Sequence, residues 1–221
     1  MNFDQPSPQE SVDIKTEYKE VFDTLATLPS NEAREMTSML YDLRPVAQLG
    51  IETDASNNEK ALEKLESLKK TGLAVSMRDL TSEEEKAKGI TYWDIAVSKD
   101  PALAQEVIDL EQKRANDPEF HKRFGELMGF PDTAIEAYIQ HTCLTDAEKE
   151  QLGFPKEEDG YGPMVIPFGI SKEHYREEAQ YLKKYFKALM DTFPDTYGTD
   201  FKGDVLEKYK KDVENFLNKD F

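Results

Sequence analysis

The sequence predicts a helix-dominated α+β fold, with about eight or nine helices and a small sheet of roughly three short strands. Two observations predict this class. Apolar residues recur at helical spacing through most of the chain, and capping residues, glycines and prolines mark where helices begin and end. Three short apolar runs interrupt this pattern with the composition of strands. If these strands were joined in parallel by helical crossovers, the class would be α/β instead.

Three helices are predicted in the first third of the chain. A capping box at residues 7–10 begins the first, and Ser30 or Asn31 begins the second. Another capping box at residues 56–59 begins the third, whose leucines repeat at helical spacing up to Gly72. The predicted helices therefore cover residues 7–28, 30–44 and 56–71.

Three segments are predicted as strands. Residues 73–77 form a short apolar run after a helix-terminating glycine, and residues 91–97 combine aromatic and β-branched side chains. Residues 164–168 are apolar and follow a loop at 155–163 that contains two glycines and two prolines. Residues 46–51 fit either a strand or a helical turn.

The segment 114–144 is predicted to form two helices folded back on each other. Asp117 caps the first helix and Pro118 opens it, because proline lacks the amide hydrogen that a first turn does not need. We expect Gly129 to take the left-handed conformation that ends this helix, and Pro131 to begin the next. Further helices are predicted to begin near residues 100, 145 and 171, and a last one to include residues 205–217.

Length and composition favour one globular domain over residues 1–221, with the loop at 155–163 as the place where a boundary would fall. The 45 acidic residues exceed the 28 basic ones, and the net charge of −17 is spread along the chain. This charge repels phosphate backbones and anionic membrane surfaces, so we expect binding to neither nucleic acid nor membrane. The single cysteine and the lack of a signal-peptide pattern predict a cytoplasmic location.

Three histidines and the cysteine are the candidate groups for chemistry. His121 and His141 lie on the two helices of the predicted hairpin, Cys143 follows them, and His174 lies near the start of a later helix. Imidazole titrates near neutral pH and binds transition metals. The histidines could therefore be acid–base groups or, with Cys143, metal ligands. We expect such a site where the hairpin meets the end of segment 164–168 and the helix that carries His174. The alternative is that each histidine lies separately on its own helix.

The other motifs in the sequence do not indicate a particular reaction or ligand. The segment 167–174 follows a predicted strand and begins a helix, which is where a nucleophile elbow would expose a serine. Glu173 stands where that motif needs its second glycine, and Ser171 is explained as a helix cap. The glutamate-rich run at 82–88 fits a solvated surface.

No motif identifies a family, an activity or a cofactor. The sequence therefore favours a soluble acidic protein that binds a protein partner or a small ligand, and it does not specify an oligomeric state. The alternative is a small enzyme or metal-binding protein with a site built from His121, His141 and His174. The metal content of protein purified without a histidine tag would discriminate between the two.

Overall fold

The computed structural model describes residues 21, 30–54, 63, 66–110, 117–155, 166–192 and 204–221. Within these residues, eight helices and three strands have defined ends, and the predicted helix-dominated α+β class is confirmed. The helices are α1 (Ser30–Leu40), α2 (Glu83–Ala87), α3 (Pro101–Leu110), α4 (Pro118–Leu127), α5 (Asp132–Ile139), α6 (Asp146–Leu152), α7 (Tyr175–Thr192) and α8 (Asp204–Leu217). The strands are β1 (Val46–Asp54), β2 (Ala74–Asp79) and β3 (Ile90–Ser98).

The strands that the structure describes form one antiparallel sheet in the order β1-β3-β2. β3 lies in the centre, where its Asp94 is opposite Gly50 of β1 and Arg78 of β2. Antiparallel neighbours can be joined by short connections, and β2 and β3 are joined by a segment that contains only the short helix α2. The α/β alternative, which requires parallel strands, is therefore wrong.

Helices bury both faces of the sheet, because side chains along a strand alternate between its two faces. On one face, Leu49 and Ile95 belong to the main core, together with buried residues of α1, α7 and α8. On the other face, Val46 and Ala96 pack with α3 and α4 in a second, smaller core. The sheet therefore lies between two groups of helices.

The predicted helical hairpin is confirmed. The Asp117 side chain caps α4, Gly129 has a φ of +70°, and the Phe130 amide donates to the Gly125 carbonyl at 2.9 Å. This is the pattern in which a left-handed glycine ends a helix. A Cβ at Gly129 would lie 2.5 Å from the Cα of Arg44. The hairpin turn therefore packs directly against the backbone that leads into β1.

The predicted strand at 164–168 is wrong in the part that the structure describes, and residues 164–165 lie outside that part. Residues 166–168 are irregular backbone, and Pro167 has no amide hydrogen to donate to a strand ladder. The remaining strand of the sheet is β1, in the segment whose sequence fitted either a strand or a helical turn. Pairing with β3 along nine residues decides that ambiguity.

Other predictions differ in outcome. The run at 82–88 is solvated surface as expected: it contains the short helix α2, which has no buried residue and which Ser82 and Glu85 cap reciprocally. The predicted helix at 7–28 lies outside the described residues except for Val21, which is helical and fully buried. Most of the loop at 155–163 also lies outside them, so the single domain and its boundary stay predictions.

Candidate functional site

The structure places His121 within a cluster of aromatic rings in the hairpin. The centroid of its ring is 5.2 Å from that of Tyr138 on α5 and 5.4 Å from that of Phe120 on α4, and both pairs meet edge-on. Such geometry is typical of ring packing. His121 is half-buried, and these contacts are those of a packing residue.

His141 and His174 are exposed at helix ends. His141 follows α5 with a φ of +57°, a left-handed conformation that helps to end the helix. The Nδ1 atom of His174 lies 3.6 Å from a carboxylate oxygen of Glu177, whose side chain is also exposed. A contact so open to water contributes little to stability.

Cys143 lies where the hairpin meets the segment before α7. It forms an antiparallel bridge with Ser171, and the Leu144 amide donates to the Ile170 carbonyl at 2.7 Å. The end of the hairpin therefore contacts the segment that leads into α7. Burial raises the pKa of the Cys143 thiol, and the charge of Glu178 adds to this effect. The thiol is therefore protonated at neutral pH, which disfavours nucleophilic chemistry.

A buried carboxylate, that of Glu178, lies at this junction, which we call the Glu178 junction. The side chain is 1% exposed. One of its oxygens accepts from the hydroxyl of Thr133 and the other from the amide of Ser171, both at 2.7 Å. Burial raises the pKa of Glu178, although the two hydrogen bonds oppose that change. Glu178 therefore ties α5 and the segment before α7 to α7.

Among the residues that the structure describes, no three His, Cys, Asp or Glu side chains form a group that could hold a metal ion. The structure brings Cys143 to the segment that precedes His174, and it keeps His121 among the rings of the hairpin. The acid–base and metal hypotheses for His121, His141, Cys143 and His174 stay predictions.

A second region has a different character. A pocket of about 460 Å³, which we call the arginine pocket, is lined by α1, β1, β3, the hairpin turn and residues 166–167. Its volume falls within the range of about 300–1,000 Å³ that is typical of small-molecule sites. The charged and amide side chains that line it are Glu32, Arg34, Glu35, Arg44, Gln48 and Asp94.

Two buried guanidinium groups, those of Arg34 and Arg44, are the main feature of the arginine pocket. Their side chains are 11% and 5% exposed. Both approach the carboxylate of Glu35: Nη2 of Arg34 lies 3.4 Å from one oxygen, and Nη1 of Arg44 contacts the other. Nη2 of Arg44 also points to the sulfur of Met128 at 2.6 Å. Two cations therefore share the Glu35 carboxylate.

Burial lowers the pKa of Arg44 to about 10, and the nearby charge of Arg34 acts in the same direction. The hydroxyl groups of Tyr181 and Tyr185 oppose this change and lie within electrostatic range of the guanidinium. Arg44 is still positively charged at neutral pH. The protein therefore holds two like charges close together in a poorly solvated place, which is costly unless anions compensate them.

Several hydrogen-bond donors around the arginine pocket lack acceptors. Within the described part of the chain, Nε and Nη1 of Arg34, Nε of Arg44 and Nε1 of Trp93 are buried and have no hydrogen-bond partner. All three side chains line the pocket. Buried donors are paired in most folded proteins, so unpaired ones call for an explanation such as a missing ligand. These four atoms are N–H donors, so a ligand that satisfied them would carry acceptors, and the same lining also contains the carboxylates of Glu32, Glu35 and Asp94.

The Asp94 carboxylate on β3 is hydrogen-bonded within the protein. Asp94 accepts from Gln48 at 3.2 Å through one oxygen and from Arg78 at 2.9 Å through the other. Asp94 is 6% exposed. Both carboxylate oxygens of Asp94 therefore have a partner within the protein.

The rest of the wall is apolar and largely aromatic. Tyr92, Trp93, Phe124 and Phe130 contribute rings. Leu80 lies at the rim and is 48% exposed, and Tyr92 beside it is 37% exposed. An apolar wall with a few fixed polar groups is typical of pockets for small organic molecules.

Comparisons with known proteins were negative: no protein-family model, no curated protein and no solved structure matches this chain. Among the described residues, none of the helices has the length and apolar character that crossing a membrane requires.

Proposed function

We propose that this protein binds a small anionic molecule in the arginine pocket, with the anionic group against Arg34 and Arg44. One observation carries the proposal: two buried arginines line the pocket and have N–H donors without acceptors. The proposal is the small-ligand form of the binding function that the sequence favours.

An anion is the favoured ligand because of how guanidinium groups bind. Their planar donors match carboxylate and phosphate oxygens, and such charge-assisted bonds are stronger than neutral ones. Glu35 contacts a single Nη atom of each arginine. A bound oxyanion would supply further acceptors to Arg34 and Arg44 and would compensate the buried charge that Glu35 compensates only in part.

The charge of the whole protein favours a small ligand over a large polyanion. The net charge of −17 repels large polyanions at a distance, whereas a small anion can approach the two guanidinium groups of the pocket directly. Trp93 adds an indole N–H to the wall, and its ring provides apolar contact. We therefore propose a small molecule with one acidic group, not a nucleic acid.

The test uses Trp93, the only tryptophan of the chain and a wall of the pocket. Its emission would be recorded while acetate, benzoate or inorganic phosphate is added. We expect a saturable change with at least one of these probes. Arg34→Lys keeps the charge but removes the planar donors, so it should weaken that binding by about tenfold or more.

Arg176→Lys is the matched control, because Arg176 is an exposed residue of α7 that does not line the pocket. It should leave the titration unchanged. Two results would overturn the proposal: no saturable response to any of the three probes at millimolar concentration, or equal losses in the Arg34→Lys and Arg176→Lys variants.

A further inference from the structure

Gly50 lines the arginine pocket from β1, and no steric conflict in the fold requires a glycine there. A Cβ built at Gly50 would meet no atom within 4 Å, and its φ is not in the left-handed region. Every other described glycine either has a positive φ or would place a Cβ within 3 Å of a neighbour. These glycines are Gly72, Gly89, Gly125, Gly129, Gly153 and Gly169.

A glycine inside a strand lowers stability, because it loses much backbone freedom and contributes no packing. Residue 50 could therefore carry a side chain with no steric conflict inside the protein. Such a side chain would extend from β1 into the space next to the pocket wall. The position keeps that space empty, on the same face of the sheet as Tyr92, which also lines the pocket.

We infer that Gly50 is the size-determining position of the arginine pocket, and that the ligand is an organic carboxylate with a flat apolar body. The inference rests on the proposed function and specifies its ligand. The carboxylate would lie against Arg34 and Arg44, and the apolar body would occupy the open space over Gly50. Aromatic side chains such as Phe124 and Phe130 provide flat apolar surface for that body.

A carboxylate is favoured over a phosphate monoester by the charges already present. Glu32, Glu35 and Asp94 also line the pocket, so each additional negative charge on a ligand is repelled by them. A single charge is enough to pair with the arginine donors that Glu35 leaves open. The Glu35 carboxylate itself shows that both guanidinium groups accommodate this type of anion.

The experiment measures the affinity for acetate, benzoate and 2-naphthoate by isothermal titration calorimetry, in the wild type and in Gly50→Leu. In the wild type, affinity should rise by about tenfold or more from acetate to 2-naphthoate, since more apolar surface is buried. Gly50→Leu fills the space over β1. It should therefore lower the affinity for 2-naphthoate by about tenfold or more and leave that for acetate within about twofold.

Glu52→Leu is the matched control: it adds the same side chain to the same face of β1, at an exposed residue outside the pocket lining. It should preserve the wild-type order of affinities. Gly50→Ala is a second variant with a smaller side chain, and it should lower the affinity for 2-naphthoate less than Gly50→Leu does. Because a Cβ at this position is unobstructed, both Gly50 variants should fold, and unfolding of both in circular dichroism would contradict the inference.

The outcomes separate the two proposals. If the wild type binds none of the carboxylates, the proposed function and this inference both fail. If the wild type binds acetate and 2-naphthoate equally, or if Gly50→Leu weakens all three carboxylates to the same extent, the pocket still binds anions. In that case the size-determining role of Gly50 is overturned.

Discussion

The arginine pocket and the Glu178 junction both bury charged side chains, but only one of them satisfies these groups within the protein. At the junction, each oxygen of Glu178 accepts a hydrogen bond. In the pocket, Arg34 and Arg44 approach one shared carboxylate and keep donors without acceptors. Burying a charge is costly unless it is bonded. The two regions therefore differ in that the Glu178 carboxylate is bonded within the protein, whereas the proposed function assigns the remaining arginine donors to a ligand.

The largest expected effect tests whether the hairpin turn supports the pocket. In Gly129→Ala the new Cβ would lie 2.5 Å from the Cα of Arg44, at a φ of +70°. Strain and overpacking together should lower the free energy of unfolding by about 2–4 kcal/mol, measured by urea denaturation. Gly89→Ala is the control, because Gly89 has a φ of +73° but open space around it. It should cost only about 1 kcal/mol, and equal losses in the two variants would disprove the packing contribution.

A second prediction concerns pH and the Glu178 junction. Burial raises the folded-state pKa of Glu178 above its ordinary value of 4.5, so the folded protein holds this proton more tightly than the unfolded chain does. The contribution of Glu178 to stability is therefore full below pH 4.5 and decreases as pH rises through the folded-state pKa.

Glu178→Gln should remove this component of the pH dependence, because its amide does not titrate. The amide oxygen can still accept from Ser171, and the amide nitrogen can donate to Thr133. The measurement is urea unfolding of both proteins from pH 4 to pH 7. An unchanged difference between their stabilities across that range would show that Glu178 is not protonated preferentially in the folded state.

The smallest expected effect concerns the histidines. His174→Gln removes an exposed pair with Glu177, so it should change the free energy of unfolding by less than about 0.5 kcal/mol. Neither the wild type nor the variant should gain thermal stability on addition of Zn²⁺. A clear Zn²⁺-dependent rise in the melting temperature that His174→Gln abolishes would favour the metal hypothesis. It would also show that the region beside the Glu178 junction binds a ligand, which would weaken its contrast with the arginine pocket.

The sequence predicts the local features of this fold well. The hairpin was predictable because its signals are adjacent in the chain: Asp117 caps α4, Gly129 ends it and Pro131 precedes α5. The strand at 46–54 was not distinguishable from a helical turn, because pairing with β3 decides its conformation. That pairing joins segments about forty residues apart, and no local pattern encodes it.

The arginine pocket was not predicted, since residues from position 32 to position 167 form it. Two signals nevertheless existed. Arginine is scarce in this chain, and a charged Arg44 follows the apolar residues of α1 and precedes a proline. Glu178 also carried a signal, because it lies four residues before Leu182 on the apolar side of α7. A charged residue within an apolar stripe is a more specific sign of burial than a lone histidine.

Residues far apart in the sequence form the wall of the arginine pocket, and this couples ligand binding to folding. Because the wall combines α1, β1, β3, the hairpin turn and residues 166–167, the unfolded chain has no comparable site, and a bound anion stabilises only the folded form. At a free concentration of 100 times the dissociation constant, this linkage adds about 2.7 kcal/mol to the free energy of unfolding. The lifetime of the protein against proteolysis would then follow the concentration of its ligand.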